Sequence, residues 1–237
     1  MGYASSWIWP RLWLRIPLPH DGGSVTPSQS PLAPNAEFAA IAPVSRIERT
    51  AAALVANGFE AAVAATGAEA RERVLELVPE GAEVFNATSQ TLQAIGLVDD
   101  IEHSGRYQAM RARMYTMDRA FYAREIRKLA AAPDYYVGSV HAVTEEGTLM
   151  VASFTGSQLG PLASGAGKVI LVVGAQKVVV DRETGFRRIF EYAYPLEDER
   201  LRRVSGIGSG VNNVLVINRV VAPDRVSVIL VKEKLGF

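Results

Sequence analysis

The sequence predicts an α/β protein with an open, largely parallel sheet. Segments typical of strands alternate with segments whose apolar residues recur at helical spacing. The run KVILVVG at 168–174 is almost wholly apolar, which is typical of a strand covered on both faces. The composition agrees with this fold class, because 49% apolar and 21% charged residues are ordinary values for a globular domain.

Four helices and two strands are predicted between residues 45 and 131. Each helix has an apolar side, and most have a start or stop signal, such as the capping-box pair Thr66 and Glu69. In order, they are a helix from Ser45 with Ile47, Ala51, Leu54 and Val55 on one face, a strand at 59–65, a helix from Thr66 to Val78, a strand at 82–86, a short helix from Thr88 or Ser89 to Ile95, and a helix from Asp118 with Tyr122 and Ile126 on one side. Residues 99–117 are polar and weakly periodic, and no element is assigned there.

The sequence predicts five strands in the second half of the chain. The motif TEEG at 144–147 predicts a turn, and Ala222-Pro223-Asp224 predicts another. In order, the predicted segments are strands at 134–140 and 148–153, a short helical segment at 156–164, a strand at 168–174, helices at 181–194 and 196–204, and two closing strands at 213–221 and 225–233.

The glycine-rich stretch GPLASGAGKVILVV at 160–173 is not a phosphate-binding P-loop. Leu162 occupies the place of the first glycine, and Val169 that of the hydroxyl residue that binds Mg²⁺. The strand also follows the glycines, whereas in a P-loop it precedes them. The stretch therefore predicts a tight turn that leads into a strand.

Composition excludes several kinds of site. Lys+Arg and Asp+Glu number 25 each, so no net charge favours nucleic acid or an anionic membrane. Cysteine is absent, which excludes disulfides, thiol nucleophiles and cysteine-held iron–sulfur or zinc sites on this chain. The three histidines, His20, His103 and His141, are too scattered for a metal cage. We therefore predict no metal and no cofactor.

Residues 1–40 differ from the rest of the chain. They contain all three tryptophans, and a Pro/Ser/Gly-rich stretch follows. The apolar run is interrupted by Pro10 and Arg11, so it predicts neither a membrane span nor a signal peptide. A disordered tail, a peripheral aromatic anchor and an over-long translated start are the three interpretations. We favour a poorly ordered tail at 1–40, followed by one domain at 41–237.

Polar residues at strand ends predict a ligand site, because ligands of open parallel sheets bind beyond the carboxyl ends of the strands. Asn86, Thr88, Ser89 and Thr91 follow the strand at 82–86, where their hydroxyls and nearby amides could hold a carboxylate or phosphate. The same groups could equally serve only to cap the helix.

Three further residues belong to this prediction. His141 follows the strand at 134–140 as a general acid or base near neutral pH, or as a hydrogen-bonded structural residue. Gly174 permits close backbone approach after a buried strand, and Lys177 could direct its ammonium into the crevice or extend along the surface. We expect His141 and Lys177 to converge with Thr88 and Ser89. We also expect replacement of Lys177 to change stability little, as for a surface lysine.

Several motifs together resemble the lactate-utilisation (LUD) domain family, from Ile47 to the C-terminus. They are VPEGAEVFNATSQTLQAIGLVDDI at 78–101, DYYVGSVHAVTEEGTLM at 134–150, KVILVVGAQKVVVD at 168–181 and the final VSVILVKEKLGF. The resemblance implies a three-layer Rossmann-like sandwich, similar to sugar-phosphate isomerases and CoA-transferases. It also implies a bacterial, cytoplasmic role in oxidation of L-lactate to pyruvate, beside iron–sulfur partner subunits.

This chain departs from the family pattern at several positions. The segment SGIGSGVNN at 205–213 lacks the cysteine cluster of short relatives, and Asn86-Ala87 replaces a glycine-rich strand end. His141 and Gln158 stand where asparagine and arginine are common. Losing an arginine removes a bidentate anion fork. Gly156 and Gln158 complete the ligand-binding residues that we predict.

The resemblance leaves three functions open. The first is a lactate-oxidation protein that binds a small anionic ligand or acts as a subunit. The second is an acyl-CoA or folate-type transferase or ligase, in which Glu146 of the TEEG motif would be the catalytic carboxylate. The alternative for Glu146 is a solvated hairpin turn. The third function is a non-catalytic interaction protein. A homodimer is left open in each case.

Overall fold

A computed structural model describes residues 33–237, in which ten strands form two sheets. In chain order the strands are β1 (Glu60–Ala64), β2 (Glu83–Asn86), β3 (Gln108–Ala109), β4 (Tyr135–Gly138), β5 (Ala142–Thr144), β6 (Leu149–Ser153), β7 (Lys168–Gly174), β8 (Val178–Val179), β9 (Asn213–Ile217) and β10 (Val226–Val231). The main sheet has the order β1-β10-β7-β4-β2-β3, and all of its pairs are parallel. The predicted α/β fold with a largely parallel sheet is confirmed.

Within residues 33–237, eight α-helices accompany these strands. They are α1 (Val44–Ala56), α2 (Gly67–Leu77), α3 (Gln90–Ala94), α4 (Leu97–Glu102), α5 (Met110–Tyr115), α6 (Arg119–Ala131), α7 (Arg182–Arg188) and α8 (Tyr194–Ser205). Several predicted caps are present: Thr66 accepts the N–H of Glu69 at 3.2 Å, and Asp118 accepts the N–H of Ala120 at 2.8 Å. Within residues 33–237, no helix is long and apolar enough to cross a membrane.

Side chains of the main sheet alternate between two apolar cores, as strand geometry requires. On β7, Val169, Leu171 and Val173 contact the core that includes α1 and α6. Ile170 and Val172 contact the opposite core, to which α2, α3 and α4 contribute. Helices therefore cover both faces of the sheet, which makes the three-layer sandwich.

The second sheet, with the order β8-β5-β6-β9, covers part of one face of the main sheet. Leu149 and Val151 of β6 join the same core as β7, whereas Met150 and Ala152 pack on the other side with Ile189. The sequence does not predict β5, which is only three residues long. Pairing of β6 with β5 and β9 is antiparallel.

The two closing strands do not pair with each other, contrary to what a turn between them suggests. β9 pairs with β6 in the second sheet, and β10 lies between β1 and β7 in the main sheet. Burial separates them, because every residue of β10 is buried and none of β9 is. Two adjacent apolar runs do not reveal this, since the partners of both strands are distant in sequence.

Three further details differ from the sequence prediction. Residues 99–117, where no element is assigned, contain most of α4, all of α5 and the two-residue β3. Val55 is 57% exposed and Tyr122 is 50% exposed, although both were placed on apolar helix faces. In α1 and α6, fewer residues are buried than the apolar pattern of the sequence suggests. Tyr122 also lies at a kink, where its φ and ψ are not helical.

The helices α7 and α8 form one continuous helical segment through a π-helical turn at Ile189–Ala193. Pro195 has no N–H, so it cannot donate to the carbonyl of Glu191 four residues earlier. The backbone N–H of Asn35 donates to this carbonyl at 2.8 Å instead. Within the predicted tail, residues 1–32 lie outside the described residues, and Ala36–Ala39 form a short 3₁₀ helix.

Candidate functional site

The order in which the chain adds strands to the main sheet reverses between β2 and β4. These strands are neighbours, yet the chain continues from β2 outward to β3 and from β4 inward to β7. Such a switch point leaves a crevice at the carboxyl ends of the strands, where ligands of α/β proteins bind. A cavity of about 200 Å³ lies there. Six predicted site residues line it: Thr88, Ser89, Thr91, His141, Gln158 and Lys177.

Lys177 is a buried basic residue in the wall of this cavity. It ends a 3₁₀ turn, Ala175–Lys177, directly after β7, and only 2% of its surface is exposed. Its Nζ donates to Thr91 Oγ1 at 2.8 Å and to Ser139 Oγ at 3.0 Å. Burial, and then the nearby charge of Arg188, lower the pKa of Lys177 well below its usual value. The expectation of a surface lysine is therefore wrong.

The two hydroxyls beside Lys177 can only accept from it. Thr91 Oγ1 donates its own proton to the carbonyl of Leu235 at 3.1 Å, and Ser139 Oγ donates to the carbonyl of Val172 at 2.6 Å. Each hydroxyl has a single proton. In both hydrogen bonds, Lys177 Nζ is therefore the donor.

A second buried cation supports the site from behind. Arg188 is completely buried; its Nε donates to the carbonyl of Gln176 at 3.1 Å, and its Nη1 donates to the carbonyl of His141. Burial lowers the pKa of Arg188 to about 10, so the guanidinium remains charged at neutral pH. Its Nη2 has no hydrogen-bond partner among residues 33–237. Arg188 thus fixes the backbone on both sides of the cavity.

His141 lies in the cavity wall as a neutral ring. Its Nδ1 accepts the backbone N–H of Ala152 at 3.1 Å, so the proton of the neutral imidazole is on Nε2. Burial, followed by the charges of Lys177 and Arg188, lowers the pKa of His141 to about 3. At neutral pH the ring is a hydrogen-bond donor, which differs from the acid or base near neutral pH that the sequence suggests.

This pKa predicts an acid-sensitive fold. An unfolded histidine titrates near pH 6.5, so on acidification the unfolded chain takes up a proton that His141 cannot accept in the folded state. Folding stability should therefore decrease as pH falls below 6.5. His141→Asn should remove about 2 kcal/mol of the decrease in unfolding free energy between pH 7 and pH 5, measured by urea denaturation. His103→Gln is the control, and an equal pH dependence in wild type and His141→Asn would contradict the assignment.

The other predicted ligand residues have structural partners. Gln158 lines the cavity but donates from Nε2 to the carbonyl of Ala152 at 2.9 Å. Gly156 turns the chain with a φ of 78°, and its N–H donates to Ser153 Oγ at 2.9 Å. Ser89 caps α3 by accepting the N–H of Leu92 at 3.4 Å.

Gly174 and Asn86 lie at strand ends but face neighbours other than this cavity. A Cβ on Gly174 would lie 2.7 Å from the backbone nitrogen of Leu235, so the close approach is to the C-terminal segment. Asn86 is fully buried, and its Nδ2 donates to Glu102 Oε1 at 2.7 Å. Asn86 instead lines a second cavity of about 780 Å³ between β2, α5 and α6, which shares Thr88 and Gln158 with the first.

The structure does not bring Glu146 to either cavity. Glu146 is exposed in the turn between β5 and β6, where its backbone carbonyl accepts Asn57 Nδ2 of the α1 cap at 2.7 Å. The preceding Glu145 forms ion pairs with Arg46 at 2.8 Å and Arg49 at 3.2 Å. These contacts fit the hairpin-turn interpretation of the TEEG motif.

Three important parts of the site are not identified from the sequence. Ser139 lies in the run YYVGSV, where a polar residue at a strand end was an available signal. Arg188 looks like its exposed neighbour Arg187, and nothing in the sequence separates them. The C-terminal segment also contributes, because Phe237 lines the cavity, and Gly236 lies so close to Thr91 that a Cβ would be 2.6 Å from its Oγ1.

Metal ligands do not cluster in the described part of the chain. No group of three or more His, Asp or Glu residues within 33–237 is arranged to hold a metal ion. Glu197, the acidic side chain among the lining residues of the first cavity, is held by both Nε and Nη2 of Arg200 at 2.7 Å. The polar groups left facing the cavity are therefore mainly hydrogen-bond donors and hydroxyls.

Fold and site together define a three-layer α/β protein with a small-molecule cavity at the switch point of a parallel sheet. The chain belongs to the LUD domain family, whose sequence profile matches residues 47–231. This membership confirms the resemblance and associates the chain with lactate utilisation at the level of the family. A solved structure, a DUF162 family protein from Deinococcus radiodurans, is similar, with 16% identity, 80% of this chain and 99% of that chain covered, and a TM-score of 0.49. No curated protein matches the chain.

Proposed function

We propose that this protein binds a small carboxylate of lactate utilisation, a 2-hydroxy or 2-oxo acid, in the switch-point cavity. The observation that supports it most is charge. Lys177 and Arg188 are both buried, and no carboxylate of residues 33–237 lies within ion-pair distance of either. A buried guanidinium is costly unless an anion compensates it, and a buried amine becomes an ammonium only when an anion is close to it. A bound carboxylate would supply that compensation.

The groups around the cavity suit such a ligand. His141 offers an N–H from a neutral ring, and Thr88 and Ser89 offer hydroxyls. Lys177 can take up a proton when a carboxylate arrives, because a nearby negative charge favours the ammonium. A 2-hydroxy acid needs donors for its carboxylate and a polar partner for its hydroxyl. This cavity wall provides both.

The size of the cavity favours a small acid over a coenzyme. About 200 Å³ is below the roughly 300–1,000 Å³ of pockets that enclose drug-sized ligands, and neither Lys177 nor His141 lines the neighbouring cavity of about 780 Å³. Lactate and pyruvate each have only six non-hydrogen atoms, whereas an acyl-CoA is many times larger. The exposed position of Glu146 also removes the carboxylate on which the CoA-transferase alternative depends. We therefore favour the small acid.

We assign the chain the role of a binding subunit in a cytoplasmic lactate-oxidation system. Oxidation of L-lactate to pyruvate transfers two electrons to an acceptor. A cysteine-held iron–sulfur cluster cannot be on this chain, because the chain has no cysteine. In this proposal a partner subunit contains the cluster, and this chain holds the acid.

Isothermal titration calorimetry with L-lactate and pyruvate tests the proposal. We expect binding of both acids with proton uptake for L-lactate, and no binding of lactamide, which lacks the carboxylate. Lys177→Met should weaken L-lactate binding by about 10–100-fold, because a hydrogen bond to a charged group contributes about 1.5–3 kcal/mol. The exposed Lys234→Met is the matched control. Absence of binding of both acids, or equal affinity in Lys177→Met, would refute the proposal.

A further inference from the structure

The hydrogen bonds of Lys177 match a neutral amine. Thr91 Oγ1 and Ser139 Oγ accept from Nζ at 2.8 Å and 3.0 Å, and each uses its own proton on a backbone carbonyl. A neutral amine has two protons and one lone pair. The two acceptors use both protons and leave the lone pair.

An ammonium fits the same place less well. The third proton of an ammonium would have no acceptor among the described residues. Water offers little compensation, because only 2% of the surface of Lys177 is exposed. Burial and the adjacent Arg188 act in the same direction, since both lower the pKa of Lys177. Lys177 also lines the cavity, as do both of its acceptors, Thr91 and Ser139, so its nitrogen lies at the wall that a ligand would contact.

We propose that Lys177 forms an imine with the carbonyl carbon of a 2-oxo acid held in this cavity. The inference rests on the proposed function, and it assigns to the site a covalent chemistry specific for the oxidised acid. A 2-hydroxy acid has no electrophilic carbonyl and can only form an ion pair with the same nitrogen. The site would therefore distinguish the two acids by bond type.

The chemistry requires no cofactor. The Nζ lone pair attacks the carbonyl carbon and forms a carbon–nitrogen bond, while a proton passes from nitrogen to the former carbonyl oxygen. The resulting carbinolamine loses its hydroxyl group together with the second nitrogen proton as water, and the nitrogen completes the C=N bond. Lysine amines act in this way where burial keeps them unprotonated. His141 lines the same cavity as a neutral donor that can polarise the carbonyl.

Reductive trapping tests the imine directly. The full chain is incubated with pyruvate and sodium borohydride at pH 7.5, and the product is analysed by intact mass and peptide mapping. We expect a single adduct, with the mass of pyruvic acid less one oxygen atom, located on Lys177. An ordinary lysine is unprotonated only about 0.1% of the time at this pH, so labelling of Lys177 should exceed that of the exposed Lys234 by at least about tenfold.

Controls separate this inference from the proposed function. L-lactate should give no adduct, and urea-unfolded protein should label its lysines without preference. Lys177→Met should lose the adduct, and Lys234→Met should keep it. Thr91→Val keeps the lysine and tests the hydrogen-bonded arrangement by slower trapping. If calorimetry shows pyruvate binding but no adduct maps to Lys177, the imine is refuted and the binding function stands. If neither acid binds, the proposed function is refuted, and the imine, which rests on it, is refuted with it.

Discussion

Replacing Arg188 by methionine should lower the free energy of unfolding by about 3 kcal/mol and abolish binding of pyruvate. The guanidinium donates to the carbonyls of Gln176 and His141, and leaving a buried acceptor without a donor costs about 1–3 kcal/mol. Removing a buried charge offsets part of this loss. The two freed carbonyls belong to the segments that carry Lys177 and His141, so the cavity should change shape. Urea unfolding and calorimetry measure the two effects.

The adjacent arginine provides a matched control. Arg187 is exposed and pairs with Glu191 at 2.8 Å, so Arg187→Met should leave both stability and binding unchanged within error. Arg188→Lys should be intermediate, because one ammonium cannot reproduce the fork of the guanidinium. If Arg188→Met were as stable as wild type, the two carbonyl contacts would not support the site.

Replacing Lys177 by methionine should have the opposite effect on stability, raising the free energy of unfolding by about 3 kcal/mol while L-lactate binding weakens by about 10–100-fold. Burial keeps the Lys177 amine unprotonated, whereas the unfolded lysine is an ammonium at neutral pH, so folding costs free energy that a methionine of similar volume avoids. The two lost hydrogen bonds offset about 1 kcal/mol each. Thr91 and Ser139 remain satisfied, because each still donates to its own carbonyl. Functional residues commonly reduce stability in this way.

The unliganded protein must be used for this comparison, since a bound acid stabilises wild type alone. Lys234→Met, at an exposed position, should leave the unfolding transition where it is. A lower unfolding midpoint for Lys177→Met would mean that its hydrogen bonds outweigh its burial. That outcome would also weaken the case that Lys177 is kept neutral until an anionic ligand binds.

Local patterns predict most of the secondary structure of this protein. The buried run of β7 and the cap at Thr66 each depend on residues that are only a few positions apart. The second sheet is different, because the short strands β5 and β8 pair with each other although they are distant in sequence, and β6 pairs with the distant β9. Assignment of β9 and β10 to separate sheets depends on such long-range pairing as well. Tertiary contacts of this kind leave no periodic signal.

The site is predictable only where strand ends mark it. Thr88, Ser89, His141 and Lys177 follow β2, β4 and β7 and line one cavity, since carboxyl ends of parallel strands share an edge. Burial of Lys177 and the support from Arg188 could not be predicted. Both depend on α7 and the C-terminal segment folding over the strand ends. A lysine or arginine in the amino-acid sequence does not by itself indicate whether its side chain is exposed to solvent.

The position of β10 has a consequence for how the protein is made. Val226–Val231 lies between β1 and β7, so the first strand of the main sheet has no neighbour there until the last strand is in place. Loop closure over such distances is slow, and domains emerge from the ribosome N-terminal end first. The early segment from α1 to α2 must therefore wait for nearly the whole chain before it can dock. A nascent chain that stops before residue 226 should expose both edges of that gap to chaperones, and refolding should show β1 gaining hydrogen-exchange protection together with β10.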